Sequence, residues 1–415
     1  MLRLYTFLLL TLTLTATAYP LASISHINPI TIPLARYLNL TGGAAKILEN
    51  DRARANALKL GSFAKDPAAP VPVANAATSY TVQVGVGSPA QTYNLLVDTG
   101  SSNTWVGANK TKPYRPSKSS SRTPDEVAVK YGSGSFSGEL WNDTVIIGSN
   151  GALTISKQGV AAAIMSTGFE GSNIDGILGI GPTDLTLGTI KDDPKKTIPT
   201  VTDTAQTDGV ISSREVGVFF APTTSSDSNN GELTFGGVNP SKFTGSLNYV
   251  DITSTSPASN YVGIDQSITY GSPSGTQILG TTSGIVDTGT TLLLIATDAF
   301  SQYKTLTNAV ADKATGLLKI APAQYDNLQS LFFTIGGETY EFTKDAQTWP
   351  RSLNEQVGGD ANSIYLIVGD VGSKSGQGLD FINGMSFLER FYTVYDSDNS
   401  RFGIAKTAQT LAICN

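Results

Sequence analysis

The 415-residue chain holds one cysteine and one histidine, and both shortages carry chemical weight. Cys414, next to the C-terminus, has no partner within the chain, so no intramolecular disulfide can form. A chain of this length can instead rely on core packing, and Cys414 is read as a tail thiol, free or paired with another molecule. His26 falls in an N-terminal leader, so the remaining body has no histidine. That excludes Ser-His and Cys-His nucleophilic sites and the usual histidine-based zinc sites. Acid–base chemistry then falls to carboxylates, with no cofactor and no metal expected. Charged residues make up only 15%, with a net charge of −6 and no basic cluster, which excludes nucleic acid as a partner. Long apolar runs are missing too: beyond one short N-terminal stretch, nothing is long enough to span a membrane.

The chain is rich in turn formers and strand formers. It has 42 Gly and 19 Pro residues, a composition of many short strands and tight turns. Tyr80 to Val86 alternates apolar and polar residues and ends at Gly87-Ser88-Pro89. The segments 216–220, 232–235, 331–335, 339–342 and 392–395 read as strands in the same way, and Gly336-Gly337 as a hairpin turn. Helical periodicity is confined to 299–310 and 322–330.

Residues 1–18 read as a secretory signal: Arg3, the apolar run Leu4 to Leu14, then the small-residue site Ala16-Thr17-Ala18. Residues 19–75 differ from the rest, with six cations against three anions. Without them and Arg3, 21 basic and 31 acidic residues remain, a net charge of −10. A basic segment docks on an acidic body while carboxylates are ionised and loosens in acid. It is read as an inhibitory pro-segment, in preference to an exposed linker, with Lys59 and Lys65 as candidate plugs for the catalytic carboxylates. The Pro/Ala-rich run 66–77 is the expected processing site.

One internal repeat stands out. Leu95-Leu96-Val97-Asp98-Thr99-Gly100-Ser101-Ser102 is matched by Gly284-Ile285-Val286-Asp287-Thr288-Gly289-Thr290-Thr291. Each copy is followed by an apolar-glycine segment, Gly176-Ile177-Leu178-Gly179 and Phe381-Ile382-Asn383-Gly384. The order predicts two similar β lobes, spanning 76–245 and 246–415, each bringing one aspartate to a shared cleft.

At these residues the chain resembles the pepsin family of aspartic proteases, and within it the disulfide-free fungal branch of the polyporopepsin type. The resemblance implies a mainly β, bilobal acid-protease fold with a cleft for an extended peptide. It implies Asp98 and Asp287 as the catalytic pair. Tyr131-Gly132-Ser133-Gly134 resembles the family's flap, a hairpin closing over substrate, with Tyr131 hydrogen-bonded to Trp105. Gly100, Gly289, Thr290, Gly132 and Ser133 take substrate-side positions by the same resemblance. Ser101 and Thr290 would bond the outer carboxylate oxygens, and Thr99 and Thr288 would brace the two loops.

The activity implied is a secreted, monomeric endopeptidase made as a zymogen. It would cut polypeptides in acid, preferably between large apolar residues, be blocked by its own pro-segment and take pepstatin-like inhibitors. Ser133 lacks the charge to hold a substrate lysine, so cleavage after lysine should be weak. Asn383, in place of an aliphatic residue, and Met385, in place of an aspartate, depart from the family pattern. Two other readings are weighed: a glycosidase, which also uses paired carboxylates, and a catalytically inactive homologue serving as a protein-binding or inhibitor module. Asn109-Lys110-Thr111 and Asn142-Asp143-Thr144 are candidate glycosylation sequons in the mature body. A third, Asn39-Leu40-Thr41, lies in the leader.

Overall fold

The computed structural model describes residues 27–38, 47–61, 78–131, 134–148, 151–169 and 172–414. The expected signal sequence, His26, the sequon at Asn39, Lys65, the run 66–77, Gly132 and Ser133 lie outside the described residues.

Strands are the predominant regular structure, many of them with alternating side chains. The expected strands form as Thr78–Val86, Glu215–Phe220, Asp227–Phe235, Leu331–Ile335, Glu338–Phe342 and Phe391–Asp396. Gly336 and Gly337 both take positive φ, 58° and 83°, and close the hairpin between Leu331–Ile335 and Glu338–Phe342. The described residues build a thirteen-stranded sheet, a seven-stranded sheet and a three-stranded one, in the two-lobed β architecture that the repeat predicted.

The repeat has the same strand logic in each lobe. In the first, Gln91–Asp98 runs parallel to Gly176–Gly179, with Asp98 opposite Gly179, and Thr104–Val106 pairs antiparallel on the other side. In the second, Val286 at the end of Thr276–Val286 lies parallel to Asn383, while Leu293–Ile295 runs antiparallel to Phe381–Asn383. Each apolar-glycine strand therefore sits beneath an aspartate loop and fixes it. Gly176 is required there because a Cβ would strike the Trp105 carbonyl.

Two expectations change. The first helix covers Thr297–Thr307 and stops at Asn308, which is left-handed at φ 51°, so Val310 passes into a strand. The second is a single short helix, Pro322–Asp326. A longer helix, α1 (Ile47–Leu60), lies in the leader and was not foreseen. Its composition favours helix, Glu49 and Lys59 complement its two ends, and Gly61 follows it at φ 70°. It evades a periodicity search because its inner face includes Asp51 and Arg54 alongside Ile47, Ala55 and Leu58.

The described parts of the leader, 27–38 and 47–61, are packed into the fold. Its strand Ile30–Leu38 pairs with Asp227–Phe235 on one side and Thr78–Val86 on the other. Ile32 and Leu34 are fully buried there. Arg36 from this strand is buried in an ion pair with Glu389, 3.0 Å.

Candidate active site

Asp98 and Asp287 are both fully buried, the first ending the strand Gln91–Asp98 and the second directly following Thr276–Val286. The two loops are fastened to each other. The Thr99 N–H donates to Thr288 Oγ1 (2.9 Å) and the Thr288 N–H to Thr99 Oγ1 (3.0 Å). Each hydroxyl in turn donates across to a backbone carbonyl, Thr99 to Val286 (3.2 Å) and Thr288 to Val97 (2.9 Å). Asp98 accepts from the Gly100 N–H (3.0 Å) and the Ser101 hydroxyl (2.6 Å). Asp287 accepts from the Gly289 N–H (3.0 Å) and the Thr290 hydroxyl (2.6 Å). The neighbouring lobe's carboxylate comes so close to Gly100 and Gly289 that neither position has room for a Cβ.

The space between the carboxylates is filled by Arg54 of helix α1. One terminal nitrogen donates to Asp98 (2.6 Å) and to Asp287 (2.9 Å), and Nε donates to the second Asp287 oxygen (2.6 Å). Lys59 is therefore not the plug it was expected to be. Lys59 hydrogen-bonds the Ser373 hydroxyl on the C-terminal lobe, and Lys65 is outside the described residues. A planar guanidinium spans two carboxylates with several donors at once, whereas an ammonium is a point charge. Nothing in the sequence singled out Arg54 among the leader's cations.

Electrostatics follow this geometry. Burial raises the Asp98 pKa, and the nearby Asp287 charge adds to the rise against the pull of Arg54. Burial also acts on Asp287, but the Arg54 charge and the hydrogen bonds from Arg54, Thr290 and Gly289 hold it below its ordinary value. One helical turn before Arg54, Asp51 accepts from the N–H groups of Thr291 (3.2 Å) and Leu292 (2.8 Å). Burial pushes Asp51 up to about 7.

Tyr131 lies at the tip of the hairpin formed by Ser121–Lys130 and Ser135–Ile147, where its N–H donates to the Gly134 carbonyl (2.7 Å). The Tyr131 hydroxyl is buried against the Trp105 indole and the Ser101 hydroxyl, whose side chains act on it as hydrogen-bond neighbours. The two rings lie near-parallel, with centroids 6.4 Å apart, and Phe136 stacks on Trp105 at 4.4 Å. Burial raises the Tyr131 pKa, and the Asp98 charge adds to the rise.

Asn383, one of the two departures, is fully buried. It exchanges two hydrogen bonds with Gln266, at 2.8 and 3.2 Å, so the polar substitution is satisfied by a partner on the next strand but one of the same sheet. Met385 starts the short helix Met385–Leu388 and is buried. Of the sequons, Asn142 is exposed on a strand. Asn109 sits in a turn where its side chain accepts from the Thr111 N–H and hydroxyl.

Two β lobes with interlocked Asp-Thr-Gly loops define an acid-protease fold. The chain belongs to the eukaryotic aspartyl protease family, whose model matches residues 79–407, and it is an aspartic endopeptidase by that membership. It is 59% identical to polyporopepsin from Irpex lacteus over 83% of this chain and 99% of that one. It is 30% identical to rhizopuspepsin-1 from Rhizopus niveus, over 91% and 93%. The crystal structure of an aspartic proteinase from Irpex lacteus matches with a TM-score of 0.80 at 53% identity, covering 94% of this chain and all of that one.

Proposed function

We propose that the chain is the precursor of a secreted endopeptidase working in acid, with Asp98 and Asp287 as its catalytic pair. One observation carries the reading: a single guanidinium nitrogen bonds both carboxylates, so both are aimed at one point. With Arg54 gone, that point suits a water. Two carboxylates this close share one proton, a general property of aspartic-protease dyads. The ionised member takes a proton from the water as it attacks the peptide carbonyl. The protonated member donates to the developing oxyanion, and a carboxyl then protonates the leaving nitrogen. The Ser101 and Thr290 hydroxyls and the Gly100 and Gly289 N–H groups hold the carboxylates in position throughout.

The aromatic group of Trp105, Tyr131, Phe136 and Phe169 supports a preference for large apolar residues beside the cut bond. The uncharged Ser133 supports weak cleavage after lysine. The leader is the intramolecular inhibitor, with Arg54 as its plug. Arg54 stays charged, so release in acid must come from the carboxylates. Asp287 is held below its ordinary 3.8, so its contribution to docking is present above 3.8 and lost as pH falls through the lowered value. Asp51 has the opposite sign: its raised pKa means its contribution is full below 3.8 and fades as pH rises through about 7.

The test is digestion of denatured haemoglobin at low pH, with and without pepstatin, by the wild type and by Asp98→Asn and Asp287→Asn. Both variants are expected to fold normally and lose proteolysis. Proteolysis surviving in either variant removes the assignment. A wild type that folds but never cleaves favours the inactive, protein-binding homologue.

A further inference from the structure

The leader docks on a second carboxylate whose setting belongs to the body of the protein. Asp370 ends the short strand Val368–Asp370, which runs parallel to Leu293–Ile295 just beyond the second Asp-Thr-Gly loop. Two of its acceptors converge on Arg52: Nε donates to the Asp370 backbone carbonyl (2.8 Å) and a terminal nitrogen to Oδ2 (2.7 Å). Its other carboxylate oxygen accepts from the Thr297 hydroxyl (2.6 Å) and the Gly372 N–H (2.8 Å).

We infer that Asp370 is a specificity-determining residue that receives an arginine side chain of the peptide substrate, a short distance along the cleft from the bond that is cut. This rests on the endopeptidase reading above. Thr297 and Gly372 lie outside the leader, so the bonds that orient Asp370 remain when Arg52 departs. A carbonyl and a carboxylate oxygen then stay aimed at one place, which matches the donor fork of a guanidinium better than an ammonium. With Arg52 in place the carboxyl is mostly sheltered, at 14% side-chain exposure, so the site takes a guanidinium into a largely enclosed pair.

Position in the cleft supports the same conclusion. Arg52 and Arg54 belong to one helix, which holds Asp370 through the first and the catalytic pair through the second. Departure of that helix uncovers both sites together, in one cleft. Lys59, further along the helix, also reaches this rim through Ser373 and feels the charges of Asp380 and Asp370, so the rim accepts cations at more than one point.

The experiment uses enzyme processed from the full chain and a neutral peptide cut at one bond. Gln is replaced by Arg, then by Lys, at each position in turn. At one position not adjacent to the cut bond, Arg is expected to raise kcat/KM about tenfold, mainly through KM, with Lys giving less. Asp370→Asn is expected to bring that Arg-to-Gln ratio to about 1. If that variant does not fold, Thr297→Val, which loosens the carboxylate without removing it, is expected to cut the ratio to about 3. A wild-type ratio near 1 at every position overturns the inference, as does a ratio that survives in the variant obtained. A parent peptide left uncut by the wild type overturns the endopeptidase reading instead.

Discussion

Arg54 is only 7% exposed and serves two fully buried carboxylates. Removing one partner of a buried pair costs about 3–5 kcal/mol, because the remaining charge is left uncompensated. Arg54→Ala should therefore weaken docking of the leader more than a hundredfold. The variant precursor is expected to gain pepstatin-titratable sites at a pH where the wild type stays closed, followed by active-site titration across pH 3 to 7. Arg54→Lys should fall between the two, keeping the charge but losing the fork. For the wild type, the lowered Asp287 pKa means that its contribution to closure is lost only as pH falls below 3.8. The sequence pointed to the carboxylates but not to their plug. Duplicated flanks single out Asp98 and Asp287, whereas the leader offers six cations in no distinguishing pattern. Which of them meets the carboxylates depends on the angle at which a helix enters the cleft, a tertiary property.

At the scale of elements, the Asn383–Gln266 contact joins the strand beneath the second aspartate to the strand Gly263–Tyr270. Asn383→Leu should strand the Gln266 amide in the core at a cost of about 1–3 kcal/mol. Pairing it with Gln266→Leu should recover much of the loss, and a double-mutant cycle on thermal unfolding measures the coupling. Some strands were legible because inner and outer residues alternate along them, as in Leu331–Ile335 and Glu338–Phe342, and others because they are short apolar runs buried on both faces, as in Phe391–Asp396. Helix α1 was not, because its inner face carries an arginine and an aspartate whose partners are hundreds of residues away. Helix ends were misplaced for a local reason: the left-handed Asn308 stops a pattern that the side chains alone would extend.

At the scale of the molecule, the leader fills a gap in the thirteen-stranded sheet, burying Ile32 and Leu34, while Ile47, Ala55 and Leu58 of α1 join the core. A chain beginning at residue 76 would lack that strand and leave two strand edges facing each other unpaired. Such a chain is expected to refold from denaturant with far lower recovery than the full chain, measured as pepstatin-binding sites regained. Stability of the full chain, by contrast, should not respond to a thiol reductant, since Cys414 has no internal partner. Its melting temperature with and without dithiothreitol should agree within about 1 °C.

The reciprocal threonine bonds at the base of the cleft have a further consequence. Each carboxylate loop takes its shape partly from the opposite half of the polypeptide, so the halves are not separable modules. Either one made in isolation would lose the partner that steadies its turn, and its acid would sit in a loop free to wander.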